Sequence, residues 1–295
     1  MSWRSRSNVE WLRSAPGVEE GHALARHTSF NIGGPADFFV ETEDPAPVLR
    51  CARERGIPAR VIGAGTNLLI SDSGVEGLVL RDVDRRFRRD VDRVFGGAGL
   101  KMMRLARLAA DLNLVGLEFA IGLPGTVGGA VYQDAGCWGV EVREVLISVE
   151  GDGKNWAPKE LELGYRTSAF REGGLEGELI KGAWFQLEVG DGEGARKQMA
   201  SWTAERLRTQ PIKSKNCGSV FKNPPGDSAG RLVESAGLKG RRKGGAIFST
   251  KHANFIENTG GATAVDVRWL IELAQRAVAE KFSVALEPEV EMIGG

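Results

Sequence analysis

The chain has 295 residues, with 39 Lys and Arg against 39 Asp and Glu, so its net charge is zero. The length suits two compact units of ~100–200 residues, and the balanced charge argues against a general nucleic-acid binder while leaving room for a local basic pocket. Hydrophobic residues at 42% and charged residues at 26% exclude a disordered chain. Glycine stands out at 40 residues, nearly double the usual ~7%. It shows no collagen period, so it predicts many tight turns and close backbone approaches.

Cys51, Cys137 and Cys217 are far apart, and His22, His27 and His252 form no cluster with them. A disulfide framework or a structural metal is therefore not expected. The N-terminal residues lack a signal-type apolar stretch. No apolar run reaches the ~18 residues of a membrane span. The expected setting is soluble, reducing and cytoplasmic, with no membrane insertion and no nucleic acid.

In chain order, a short helix and linker run to Pro16-Gly17. Strands are predicted at Asp37–Val40, Arg60–Ile62, Leu68–Ile70 and Gly77–Leu80, with a helix over Pro45–Arg55, a βαββ-type α+β unit. A second unit holds a helix over Leu100–Asn113, a glycine-rich stretch at Gly122–Ala130 and strand-like runs at Val145–Glu150 and Leu179–Val189. A boundary is expected at Gly190–Gly194. Helices follow over Ala195–Leu207 and Ala264–Phe282, the latter opened by Thr263 with Asp266. Val284–Ile293 alternates with period two and predicts a strand that places Glu287, Glu289 and Glu291 on one face, with Pro288 at an edge or bulge.

Candidate chemistry starts with Gly63-Ala-Gly-Thr-Asn67 after a strand. Its backbone N–H groups can form an anion nest. It is not a Rossmann fingerprint, since Leu68 stands where the third glycine would be. Alone it reads equally well as a turn. Gly122–Ala130, with four glycines, Pro124 and Thr126, offers a surface bare of side chains. Two such loops favour a dinucleotide with a pyrophosphate and a planar ring. Ser219, after Gly218, lacks a nucleophile elbow and reads as a turn serine or a hydroxyl proton donor. Arg166 and Glu289 read on spacing alone as solvated charges. Arg206, Arg208, Lys213, Lys215 and Lys222 cluster around Gln210 and Asn223, which on composition alone reads as a solvated basic segment.

Seven motifs occur in order: Thr28–Asp37, Gly63–Leu69, Gly116–Ala130, Tyr165–Phe170, Gly218–Pro224, His252–Ile256 and Leu286–Val290. Together they resemble the UDP-N-acetylenolpyruvoylglucosamine reductase (UDP-N-acetylmuramate dehydrogenase) family of bacterial peptidoglycan precursor synthesis, over nearly the whole chain after residue 22. The short gap between Phe170 and Gly218 resembles the subtype lacking a substrate-capping insertion. The resemblance implies an α+β chain with a two-subdomain FAD-binding fold of the vanillyl-alcohol-oxidase (PCMH) type plus a C-terminal α+β substrate domain. The corresponding ranges are 1–21 for an N-terminal helix and linker, 22–80 and 81–195 for the two FAD-binding subdomains, and 196–295 for the substrate domain.

It also implies a reaction. NADPH reduces non-covalently held FAD and leaves. UDP-N-acetylenolpyruvoylglucosamine then enters, flavin N5 gives hydride to C3, and a proton reaches C2. Position by position, Ser219 matches the proton donor, Arg166 the motif arginine and Glu289 the carboxylate. The loops imply FAD contacts at Gly63, Ala64, Gly65, Thr66, Asn67 and Leu68, and at Gly122, Pro124, Gly125, Thr126, Gly128 and Gly129. Substrate contacts are expected at Tyr165, Arg208, Gln210, Lys222, Asn223 and Asn254, in a monomer. Departures fall at Asp134 (usually asparagine), Trp138, Asn31 and Cys217. An ionised Asp134 would repel a bound anion. Another FAD oxidoreductase, such as an alcohol or sugar oxidase, and a non-catalytic nucleotide-binding protein are the competing readings.

Overall fold

Short strands punctuated by glycine and short amphipathic helices assemble into three packed units in the computed structural model, which describes residues 3–175 and 177–295. The first unit holds α1 (Arg6–Ser14), β1 (Glu19–Ala23), β2 (Pro35–Thr42), α2 (Ala46–Glu54), β3 (Ala59–Ile62), β4 (Leu68–Ile70) and β5 (Val75–Asp82). Its sheet runs β1-β2-β5-β3. Strands β2 and β3 both pair parallel with β5, whereas β1 pairs antiparallel with β2. Residue 21, the expected end of a linker, therefore falls inside a paired strand. Helix α1 is packed too: Leu12 is buried in one cluster with Phe38, Val40 and Leu49, and Asn8 Nδ2 donates to the carbonyl of Arg55.

The second unit holds β6 (Phe87–Asp90), β7 (Arg93–Gly97), α3 (Met102–Asp111), β8 (Leu114–Val115), α4 (Val127–Tyr132), β9 (Gly136–Cys137), β10 (Val140–Glu141), β11 (Leu146–Glu150), β12 (Asn155–Trp156), α5 (Ala169–Glu172), β13 (Gly182–Gln186) and β14 (Glu188–Val189). Its main sheet has the order β12-β11-β13-β7-β6, antiparallel throughout. The expected run Leu179–Val189 is thus split between β13 in this sheet and β14, which pairs with β8.

The third unit holds α6 (Gly192–Thr209), α7 (Ala229–Ser235), β15 (Arg242–Lys243), β16 (Ala246–Phe248), β17 (Ile256–Asn258), α8 (Ala264–Phe282) and β18 (Glu291–Ile293). Residue 195 falls inside α6, which packs back on the second unit: Ala195 and Met199 are buried with Leu105, Ala109 and Phe119. The glycines at 192 and 194 form the first turn of this helix.

Two features weld the third unit to the first. Strand β4 does not join the β1-β2-β5-β3 sheet as a βαββ reading expects. It pairs parallel with β18 from the other end of the chain. Phe30, Ile32 and Leu69 lie in the same core as Leu270, Ile271 and Val278 of α8. Helix α8 is capped reciprocally by Thr263 and Asp266, as the sequence spacing indicates, and Asp72 of the first unit accepts from Ala264 N and Val265 N as well.

Only Glu291–Ile293 of the expected Val284–Ile293 strand is regular. Residues 287–289 instead bond to the segment around Phe221. The three glutamates consequently do not share one environment. Glu287 is exposed and paired with Lys222, while the Glu289 side chain is 13% exposed.

Candidate active site

The two glycine segments meet face to face. A Cβ on Gly63 would lie 2.6 Å from Thr126 Oγ1, and one on Gly125 would lie 3.3 Å from Thr66 Oγ1. The end of β3 and the start of α4 are therefore in direct contact, and both line one cavity. Thr126 caps α4 by accepting from Gly129 N at 3.4 Å. The second segment is not the continuous loop expected from its glycines. Glu118–Gly122 is a 3-10 turn and α4 begins at Val127, leaving only residues 123–126 irregular. Gly122 and Gly128 serve packing, the first against the Trp138 ring and Cys137 Sγ, the second against Ala98. Gly129 is different: its nearest contact would be 3.7 Å away, so bare backbone is presented there.

Gly65 is required by the chain itself. Its φ is +63°, and a Cβ would stand 1.9 Å from the carbonyl oxygen of His27. Ser29 N donates to the Gly65 carbonyl at 3.1 Å, fastening the loop to the Thr28–Asp37 motif. Leu68 begins β4 and pairs with Glu291.

A cavity of about 260 Å³ opens beside Gly63, Ala64 and Thr126, room for part of a dinucleotide. Arg81, Arg85, Lys101 and Arg104 line it, together with Asp82. Burial pushes the Asp82 carboxyl up to about 7, against the pull of the Asp84 N–H that it accepts. This basic lining lies outside the motifs. Its members are scattered over β5, the loop after it and α3, so no local spacing marks them. The donor set and the bare backbone fit a dinucleotide diphosphate.

The polar centre lies where several distant segments meet. Gly164 and Thr167 exchange backbone bonds at 3.2 and 3.0 Å, so Tyr165 and Arg166 form the tip of a tight turn. Arg166 sits at φ +58°, a conformation that costs a non-glycine residue about 1–3 kcal/mol. Its guanidinium is fully directed: Nε donates to Glu289 Oε1 at 3.0 Å, Nη2 to the Gly136 carbonyl at 3.0 Å, and Nη1 to the Asp134 carbonyl at 3.3 Å. Glu141 Oε1 stands 3.4 Å from Nη1. Burial raises the pKa of the Glu289 carboxyl, opposed by Arg166. Burial also raises that of Glu141, opposed by Arg143 and Arg166.

Glu289 joins this centre to both remaining pieces. Its carbonyl accepts from Asn67 Nδ2 at 3.0 Å, and that amide also donates to Gln133 Oε1 at 2.8 Å. Its N–H donates to the Val220 carbonyl at 2.8 Å, which places the Ser219 segment alongside. Gly218, at φ +81°, precedes Ser219. The structure thus brings Arg166, Glu289, the Ser219 segment and the first glycine loop to one place.

Asp134 does not repel a ligand there. It is wholly buried at φ +43° and is paired with the Arg143 side chain and backbone N–H. Trp138 stacks on Trp202 at 4.5 Å. Asn31 takes φ +54°, which asparagine tolerates well, and Cys217 is buried.

The expected substrate residues divide. Tyr165 is 42% exposed, and its hydroxyl accepts from Asn223 N at 3.2 Å. Asn223 Oδ1 accepts from Ala229 N at the start of α7. Lys222, next to it, faces Glu287. Arg208 is exposed on α6, and Gln210 Oε1 accepts from Arg206 Nε at 3.0 Å. Arg206 is not part of a free basic surface, because it turns inward to the Gly122 carbonyl. Asn254 departs furthest from expectation. It is 3% exposed, with both amide atoms bonded to the Phe221 backbone. Glu141 is the member that the sequence reading missed; a lone glutamate after Gly139-Val140 carries no spacing signal.

Among the described residues no cluster of His, Cys, Asp and Glu fits a metal ion, and no helix is long and apolar enough to cross a membrane. Comparison with known proteins finds two matching families. The FAD binding domain family matches residues 38–151, and the UDP-N-acetylenolpyruvoylglucosamine reductase C-terminal domain family matches residues 210–293. A UDP-N-acetylenolpyruvoylglucosamine reductase of Lachnoclostridium phytofermentans is 42% identical over 92% of this chain and 91% of its own length. One from Carboxydothermus hydrogenoformans is 42% identical over 94% of each chain. The crystal structure of the reductase from Thermus caldophilus superposes with a TM-score of 0.80 at 37% identity, covering 94% of this chain and 99% of its own. With this geometry and these relatives, the chain belongs to the UDP-N-acetylenolpyruvoylglucosamine reductase family.

Proposed function

We propose that this protein reduces UDP-N-acetylenolpyruvoylglucosamine to UDP-N-acetylmuramate in peptidoglycan precursor synthesis. It uses FAD held without a covalent bond and NADPH as reductant. The observation that carries this reading is the junction at Glu289, where Arg166, Asn67 and the Ser219 segment converge. FAD, when bound, supplies the hydride taken from NADPH and delivered to C3 of the enol ether. Gly63–Leu68 and the Pro124–Gly129 segment would hold it, and the basic residues of the cavity would face its negative charge. Of the possible covalent anchors, His22 and His27 stack on each other and on Phe39, and burial raises the Cys137 thiol pKa, keeping it the poorly nucleophilic thiol.

The chain's own residues complete the reduction. Hydride at C3 leaves negative charge on C2 and the adjoining carboxylate. Arg166 is permanently charged and is held by backbone carbonyls, so it can stabilise that charge without reorganising. Ser219 donates a proton to C2 as a neutral hydroxyl, adding no competing charge. Burial raises the Glu289 pKa against the pull of Arg166, and in its protonated form this carboxyl would donate to the same developing oxyanion. Tyr165, Arg208, Gln210, Lys222 and Asn223 are the residues assigned to the substrate in this reading, Tyr165 and Asn223 being bonded to each other. A cytoplasmic setting suits this reading, since both substrates are water-soluble.

A two-step spectroscopic experiment tests it. The purified protein should be yellow, bleach with NADPH, and regain colour on addition of the enolpyruvyl UDP sugar without oxygen. Recovery with oxygen but not with the sugar would make it an oxidase. A colourless protein that cannot take up FAD would leave only a binding role.

A further inference from the structure

Asn254 lies at the site, yet it has no free amide atom pointing outward. Its Oδ1 accepts from Phe221 N at 3.0 Å, its Nδ2 donates to the Phe221 carbonyl at 2.9 Å, and its own carbonyl accepts from Val220 N at 2.8 Å. We propose that Asn254 is a positioning residue for proton transfer: its side-chain amide replaces a neighbouring strand and fixes the backbone that carries Ser219 against the segment that carries Glu289. This inference rests on the reading that Ser219 is the proton donor.

The geometry explains why an amide is needed. Phe221 and Pro288 face each other in an isolated antiparallel bridge. Bonds flank them, from Lys222 N to the Glu287 carbonyl at 2.9 Å and from Glu289 N to the Val220 carbonyl at 2.8 Å. In such a pair the facing residues turn both backbone groups to their outer edges. Phe221 therefore directs its N–H and C=O away from Pro288, into a buried region (Phe221 is 1% exposed) where no strand pairs with it. Buried backbone groups require partners. An asparagine amide presents one acceptor and one donor side by side, the complement of a single residue's edge.

The clamp is itself anchored. Asn254 N donates to His252 Nδ1 at 3.3 Å, and Phe255 N donates to the His252 carbonyl at 3.0 Å. The chain then enters β17, paired with β16. On the far side, Gly218 N donates to Asn216 Oδ1 at 2.9 Å. Ser219 is thus held between a left-handed glycine turn and the clamped Val220-Phe221 pair. Asn254 touches the reacting groups only through this backbone.

The two half-reactions of the FAD-loaded enzyme, followed by stopped flow, test the proposal. Asn254→Asp keeps the acceptor for Phe221 N but loses the donor. Flavin content and reduction by NADPH should stay at wild-type levels. Reoxidation by the enolpyruvyl UDP sugar should slow ~10–100-fold at neutral pH, the scale expected of a misplaced catalytic group. That loss relative to wild type should shrink as pH falls, because a protonated aspartate again donates to the Phe221 carbonyl. In a Ser219→Ala background the same change should cost less than about twofold, since the group it positions is gone.

A raised substrate KM with an undiminished rate, repeated in the Ser219→Ala background, would make Asn254 a substrate ligand and overturn the proposal. Amide exchange of Phe221 in the wild-type holoenzyme needs no variant. Strong protection before substrate is added supports the clamp, and protection appearing only with the UDP sugar refutes it. If Ser219→Ala alone leaves reoxidation unchanged, the donor assignment fails, and the exchange result still decides whether the clamp exists.

Discussion

Arg166 Nε meets Glu289 Oε1 at 3.0 Å while its Nη1 faces Glu141 Oε1 at 3.4 Å. One guanidinium therefore stands between two mostly buried carboxylates. Glu141 also pairs with Arg143 at 2.7 Å through Oε2, an oxygen that makes no hydrogen bond. Arg143 in turn neutralises Asp134. Arg171 and Lys222 add weaker positive fields at Glu289. In this arrangement Glu141 and Glu289 compete for the one Arg166 guanidinium.

Glu141→Gln removes that competition at nearly constant shape. The Glu289 carboxyl, raised above its ordinary range, should then release its proton at lower pH. Where the protonated form works in reoxidation, activity is present at low pH and is lost as pH rises through this value. The loss should therefore move to lower pH by roughly one unit, given a carboxylate charge removed from a partly buried site. The pH profile of the oxidative half-reaction measures it. An unmoved profile would mean that Glu289 does not set this limb.

Ser219→Ala should separate the two halves of the cycle. Reduction by NADPH requires no proton at carbon, so its rate should hold. Reoxidation by the enolpyruvyl substrate should slow by the ~10²–10⁴-fold of a lost general acid, and Ser219→Cys should restore part of it. A slowed reductive half with a normal oxidative half would instead direct the search to Arg166 or Glu289.

Two glycines should behave oppositely. Gly65→Ala places a Cβ against the His27 carbonyl in a left-handed conformation, which costs about 1–2 kcal/mol from backbone alone. It should lower the melting temperature of the FAD-free protein. Gly129→Ala lies within α4, where the nearest contact would be 3.7 Å away, and alanine favours a helix by about 0.5–1 kcal/mol. The FAD-free protein should be as stable as wild type or more so, yet hold FAD less tightly. Melts with and without added FAD, together with flavin content, decide both. A Gly65 variant that melts normally without FAD would show that the cofactor, not the chain, requires glycine there.

Local signals in the sequence carried far. Period and capping placed α2, α3 and α8 to within a few residues, because amphipathic spacing and the Thr263–Asp266 pair are contained in the segments themselves. Ordered motifs pointed to the family and to Arg166, Ser219 and Glu289 as chemical candidates. What such signals could not carry is which segments meet. The pairing of β4 with β18 joins residues separated by more than 200 positions, and nothing in three apolar residues names their partner. Glu141 became part of the site only because β10 passes the Tyr165-Arg166 turn. Arg206 left the basic surface because burial against Gly122 gave it a carbonyl to satisfy. Asn254, expected at the substrate, bonds both amide atoms to the Phe221 backbone for the same reason: a polar side chain bonds to whatever unpaired backbone the fold places beside it, and that neighbour is a property of the packed chain.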